Sequence, residues 1–215
     1  TSGGHFGRGD VVRGCGLSVT RSACGFRVGA MPFMRAPGLK SHELGAVSRA
    51  VLETCKDVDE GLAYIRDRPI AYSLNLMVLD KSGRAALVET LDGRMAVKRI
   101  DATTKEQMLW ATNHPVLPEL IPYEPQAMVH SSVRYNWVEK ELAGASGVTD
   151  EKLKEMLLSV YPEGLCCHFF EEYFGTTKSM VIDPLAGSIE ICWGGLAENG
   201  WRKYDIATPL PNGSV

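Results

Sequence analysis

The 215-residue sequence has no apolar run approaching the roughly 20 residues that cross a bilayer, so nothing in it reads as a membrane span. It has no excess of positive charge either. Its 23 Lys and Arg against 26 Asp and Glu give a net charge of -3, which leaves no electrostatic footprint for nucleic acid. Six cysteines are present (Cys15, Cys24, Cys55, Cys166, Cys167 and Cys192), yet there is no Cys-x-x-Cys pair, and Cys166 and Cys167 are adjacent. That spacing suits neither a zinc site nor a regular disulfide framework, and reduced thiols in a cytoplasmic protein are expected. The histidines (His5, His42, His114, His130 and His168) are scattered without metal-ligand spacing, so neither a metal nor a cofactor is expected. The first ten residues are Gly-rich and polar and lack the apolar stretch of a signal peptide. The chain begins at Thr1 rather than Met, which leaves a fragment, a processed product and a trimmed chain all open.

What is present is ordinary for one globular core: 45% hydrophobic and 23% charged residues, without internal repeats. Residues 1–14 read as an irregular segment, 15–206 as a single domain and 207–215 as a tail. Residues 17–23 alternate in polarity as a strand does, and 25–40, with Pro32 and Pro37, form a surface loop. Ser41 can cap a helix with the stripe Leu44, Val47, Val51 and Cys55. Asp57 caps a second, with Glu60 in capping-box position and Val58, Leu62 and Ile65 inward; Pro69 ends it. Strands over 71–79, 84–90 and 94–100 form an antiparallel meander, and 108–112 adds a short strand. The segment 117–125, with three prolines, cannot be regular. A helix runs from Ser131 or Ser132 to Leu142. Thr149 caps another, with Leu153, Met156, Leu157 and Val160 on one face. Residues 178–182 and 188–193 make a last hairpin, with an edge strand over 201–206. Pairs of helices between runs of antiparallel strands give the α+β class, helices layered on sheets.

The sharpest chemical candidate is Asn113-His114, which closes the run Trp110-Ala111-Thr112 just before Pro115. An Asn there serves equally as a turn former or as an amide donor to a developing oxyanion. Thr1 and Cys15 are the two nucleophile candidates, since an N-terminal Thr or Cys can use its own α-amine as base. The run Cys166-Cys167-His168 tempts as a dyad, but neighbours in sequence seldom face one another, and core filling is the simpler use. Thr176 and Thr177 either satisfy backbone groups or hold a substrate carbonyl or carboxylate. Lys178 and Arg13 offer charge for an acidic group, or form surface salt bridges.

Several segments occur in an order that resembles one group of enzymes. They are Gly16-Leu17-Ser18-Val19, the helix over 44–52 with Asp57-Val58-Asp59-Glu60, the hairpin Leu79-Asp80-Lys81-Ser82-Gly83 with Val88-Glu89, Thr112-Asn113-His114, and Ser179-Met180-Val181-Ile182-Asp183-Pro184. Over roughly residues 14 to 195 the chain is similar to the penicillin acyltransferase family of N-terminal nucleophile hydrolases, related to the choloylglycine hydrolases. The resemblance implies a four-layer αββα fold and self-cleavage before a Cys. That Cys then hydrolyses or transfers acyl groups at linear amide bonds of small molecules, with neither nucleic acid nor membrane as partner. Asn113 falls on the family's oxyanion-hole Asn, and Thr176 and Thr177 fall near hydroxyls that line its pocket. Where the family often has Asn-Glu-x before Gly-Leu, this chain has Arg13-Gly14-Cys15. The family nucleophile also lies further upstream of the Gly-Leu strand than these residues reach. The expectation is therefore a scaffold without its N-terminal strands, inactive alone, whose Cys lies outside the chain. An inactive binding or assembly module, or an active chain using Thr1 or Cys15, are the alternatives. Substrate identity and oligomeric state stay open.

Overall fold

Strands that alternate strictly in polarity give a sheet two unlike faces, and this chain uses both. The computed structural model describes residues 11–12, 14–24, 44–70, 73–123, 128–145, 147–172 and 174–206. The expectations placed on Thr1, Arg13, the 25–40 loop, the Ser41 cap and the 207–215 tail lie outside them.

Strands β1 (Val11–Val12), β2 (Leu17–Ala23), β3 (Leu74–Asp80), β4 (Ala85–Leu91) and β5 (Arg94–Ile100) form one antiparallel sheet in sequence order. Val19, Val78 and Ala86 stand side by side across it, as do Leu76, Val88 and Val97. These residues turn to one face, where α1 (Leu44–Thr54) and α2 (Val58–Arg66) cover them with Val47, Val51, Leu62 and Ile65. Full burial of each such side chain contributes about 1.5–3 kcal/mol. Gly61 lets α2 approach, since a Cβ there would meet Val51 Cγ1 at 3.3 Å. The opposite face carries Leu87, Leu91 and Ala96 under Leu117 and Leu120.

Helix α2 begins as the sequence predicts. Asp57 accepts from the Glu60 N–H at 2.9 Å, and the Glu60 carboxylate reaches back to the Lys56 N–H at 2.9 Å. The β3–β4 turn is tied to this helix through one buried carboxylate. Asp80 accepts from the Val58 N–H at 3.2 Å, from the Ser82 N–H at 2.9 Å and from Arg84 Nε at 3.0 Å. Burial alone would raise the Asp80 carboxyl, but the Ser82 hydroxyl, the Val58 and Ser82 N–H groups and the Arg84 cation outweigh it. Its pKa lies below the ordinary value.

A second antiparallel sheet has the order β10-β9-β8, from β8 (Lys178–Asp183), β9 (Ser188–Trp193) and β10 (Arg202–Asp205). A two-stranded ribbon, β6 (His168–Phe169) and β7 (Phe174–Gly175), precedes it. Helix α3 (Val129–Leu142) starts two residues before Ser131, and α4 (Asp150–Leu158) is capped by Thr149 as expected. Ser179 Oγ of β8 donates to the Leu157 carbonyl of α4 at 2.8 Å, which fixes helix against sheet.

The α+β class is therefore correct, and the meander and the last hairpin stand close to the expected limits. Three local expectations change. Residues 108–112 enter no ladder, because side chains rather than a neighbouring strand take the carbonyl at their end. The proline segment contains one 3-10 turn, Ile121–Tyr123, and the 1–14 segment contains β1. Helix α4 ends at Leu158, so Val160 lies beyond it and is 52% exposed.

Asp80→Ala removes a buried acceptor shared by a turn, a helix N-terminus and Arg84. The expected loss is about 2–4 kcal/mol of unfolding free energy, read by urea denaturation. A change below about 0.5 kcal/mol, ordinary for a surface site, would contradict this account.

Candidate active site

Asn113 sits where the first sheet, the 108–117 segment and α3 meet. Its Nδ2 donates to the Ala23 carbonyl at the end of β2, at 2.9 Å, and its Oδ1 accepts from Arg134 Nη2 at 2.8 Å. These partners settle which amide atom is which, because a guanidinium only donates and a backbone carbonyl only accepts. One Nδ2 hydrogen is thus engaged and one is left over.

The flanking residues form a closed hydrogen-bond circuit with Ser131 of α3. The Asn113 N–H donates to Ser131 Oγ at 2.7 Å, and His114 Nδ1 lies 2.8 Å from the same oxygen. Ser131 Oγ donates to Thr112 Oγ1 at 3.0 Å, and Thr112 Oγ1 donates onward to the Ser131 carbonyl at 3.0 Å. With the serine proton committed to Thr112, the circuit is complete when His114 carries its proton on Nδ1. Burial and then the Arg134 charge lower the His114 pKa, in keeping with that neutral ring. The ring stands edge-on to Tyr135, with centroids 5.5 Å apart.

Arg134 is the residue that sequence reading overlooks. Besides Asn113 it holds the His130 carbonyl through Nε at 3.0 Å, and among the described residues it has no carboxylate partner. Burial pulls its pKa down, with Cys167 and Tyr161 opposing, but a guanidinium stays charged at any ordinary pH. It lines a cavity of about 810 Å³ between the first sheet, α3, α4 and β8. Apolar side chains such as Met77, Leu87, Leu109 and Met180 make most of the wall, and among the described residues no Asp or Glu takes part. Thr112 and Lys178 line it as well.

The remaining candidates fall into two groups. Thr176 lines the cavity, and its hydroxyl accepts from the Cys167 N–H at 3.1 Å. Thr177 is exposed and is not among the lining residues. The Cys166-Cys167-His168 run assembles no dyad. Cys166 Sγ donates to the Leu157 carbonyl at 3.0 Å, while His168 Nε2 pairs with the Gly194 carbonyl at 3.2 Å and its ring stacks on Phe170. Burial pushes the Cys167 thiol up, away from a reactive thiolate. Cys15 stands beyond Leu17, the end of β2 opposite Ala23. The strand alone puts roughly 20 Å between it and the Asn113 amide. Among the described residues no three His, Cys, Asp or Glu side chains form a group that could hold a metal ion.

The family model for acyl-coenzyme A:6-aminopenicillanic acid acyl-transferase matches residues 30–198. The chain belongs to this family. Among solved structures it is similar to penicillin V acylase from Agrobacterium tumefaciens, with 16% identity and a TM-score of 0.34 over 68% of this chain. It spans 42% of the length of that protein. The family match includes Asn113, Arg134 and the whole wall of the cavity from α3 to β8. Among the described residues no helix is long and apolar enough to cross a membrane.

His114 and His130 both have pKa values lowered first by burial and then by Arg134. The unfolded chain therefore binds more protons just below the ordinary histidine value, and stability should fall as pH drops below about 6.5. His114→Gln should flatten that fall, read as melting temperature between about pH 7.5 and pH 5.5. An unchanged slope in the variant would remove His114 from this balance.

Proposed function

We propose that this chain is part of an enzyme that hydrolyses or transfers acyl groups at amide bonds of small molecules. Asn113 supplies the oxyanion donor. The observation that carries the reading is the Arg134 guanidinium on Asn113 Oδ1, with Arg134 itself lining a largely apolar cavity that has no Asp or Glu among its described residues. That contact fixes the amide in one orientation and polarises it, so that the second Nδ2 hydrogen becomes a stronger donor. Arg134 also adds a positive charge where an anionic intermediate forms, in a site of low polarity where such charge acts strongly. Thr176 contributes to the pocket wall, and Thr177 is a weaker candidate because it is exposed.

The nucleophile in this reading is an N-terminal Cys outside these 215 residues, released by self-cleavage, whose α-amine serves as its base. The thiolate attacks the amide carbonyl, the carbonyl oxygen takes the negative charge beside Asn113, and the amine departs with the proton. Water or a second amine then accepts the acyl group. Residues 15–206 form one domain of the four-layer αββα type that lacks its N-terminal strands here. The cavity between the two sheets and the separation of Cys15 from Asn113 support this arrangement. Six free thiols support a cytoplasmic location.

The test is Asn113→Ala in a longer product of the same gene that carries the Cys. Loss of one oxyanion donor should lower kcat by about 100- to 1,000-fold while circular dichroism stays unchanged. Intact mass should show cleavage before that Cys. Near-normal turnover in the variant would overturn the role of Asn113. Absence of both processing and turnover would favour an inactive binding module.

A further inference from the structure

The segment that carries Asn113 is not held by a β-ladder, so something else must hold it. Three side chains in one row across the first sheet do so. Ser22 of β2, Asn75 of β3 and Glu89 of β4 are direct cross-strand partners, Ser22 opposite Asn75 and Asn75 opposite Glu89. All three point to the face away from α1 and α2, as the alternation of the strands requires. Ser22 Oγ donates to the Thr112 carbonyl. Asn75 Nδ2 spends both its hydrogens on the carbonyls of Thr112, at 3.1 Å, and His114, at 3.0 Å. Glu89 is fully buried, and each of its oxygens accepts one backbone N–H: Oε1 from Val116 at 2.7 Å and Oε2 from Leu117 at 3.0 Å. Pro115, between the two sets of bonds, has no N–H to offer.

Carbonyls before Asn113 and after it, and then the next two available N–H groups, are thus taken by one rung of the sheet. We propose that Asn75 and Glu89 are positioning residues: a polar rung that sets where the Asn113 amide stands relative to the reacting carbonyl. Neither touches substrate in this account. They act through the backbone of residues 112–117, and Arg134 acts separately through Oδ1. Glu89 suits the task because a carboxylate can accept at both oxygens, whereas the amide of Gln presents a donor to one of the two N–H groups. Burial, and to a lesser extent the Glu119 charge, raise the Glu89 pKa, and the two N–H bonds oppose this. The catalytic consequence rests on the reading of Asn113 as oxyanion donor. The positional one does not.

Two measurements separate these. In the 215-residue protein, Glu89→Gln should speed hydrogen exchange at Val116 or Leu117 by about tenfold, the loss of roughly one hydrogen bond. The Asn113 side-chain NH₂ resonances should move in the same spectrum, while amides of the β2–β3 ladder keep their protection. Asn75→Ala, which introduces no unpaired charge, should displace the same resonances and serves if Glu89→Gln does not fold. Unmoved Asn113 resonances in the variants that fold would overturn the proposal. In the longer, Cys-bearing product, Glu89→Gln should lower kcat by about 100-fold with KM little changed, the scale of a misplacement near 1 Å. The same change on an Asn113→Ala background should cost almost nothing further, since both act through one amide. Full additivity of the two losses would overturn the positioning role even with Asn113 confirmed. Near-normal turnover of Asn113→Ala would instead remove the oxyanion reading and leave the exchange result standing.

Discussion

The register of β2, β3 and β4 is the constraint from which the rest of this molecule follows. A strand repeats every two residues, so a slip of one position exchanges the two faces of a sheet completely. Here such a slip would turn Asn75 and Glu89 under α1 and α2 and push Leu76 and Val88 toward the cavity. The cost would be counted in buried, unpaired polar groups, which is heavier than the loss of a few apolar contacts. The polar row therefore specifies the pairing at the same time as the apolar rows stabilise it. It also explains how the segment that carries Asn113 can run without secondary structure and still be held on both sides.

The site that results is built almost wholly from long-range contacts of short side chains. Ser131 links α3 to residues 112–114, Asn75 and Ser22 link the sheet to the same residues, and Arg134 closes the ring from the helix side. The circuit is neutral apart from Arg134, whose charge is answered by an amide and a carbonyl oxygen rather than by an acid. A cation held in this way keeps most of its field for whatever enters the cavity. In an ion pair the same residue would be largely neutralised. Among the described residues the cavity wall holds Arg21, Arg134 and Lys178 and no acid, so its charge is of one sign.

Much of the scaffold was legible in the sequence, because it depends on local signals. The Asp-Lys-Ser-Gly turn fixes the β3–β4 hairpin, Asp57 and Thr149 start their helices, and period-two alternation delimits β2 to its residues. Residues 108–112 misled for a physical reason: an apolar run before a polar pair has the pattern of a strand, but its partners are side chains 37 and 90 positions away in sequence. Asn113 could be picked out because Thr-Asn-His-Pro is unusual locally and because of the family resemblance. Arg134 and Glu89 could not. One lies 21 residues from the amide it holds, and the other, placed inside an otherwise apolar strand, looks like an ordinary edge charge until its burial is known. The Cys166-Cys167-His168 run shows the converse, a chemically suggestive string whose members turn to different neighbours.

The first sheet is also a partition. On one side, α1 and α2 pack on Leu76, Val78 and Val88; on the other, the Asn113 segment and the cavity lie over Asn75, Met77 and Leu87. Among the described residues the two core clusters share strands but no side chains. Substitutions on the helical side should therefore act on stability without reaching the cavity wall. Changes to the shape of the cavity must be sought on the other side, in α3, α4 and β8. A library confined to either layer therefore varies one core at a time.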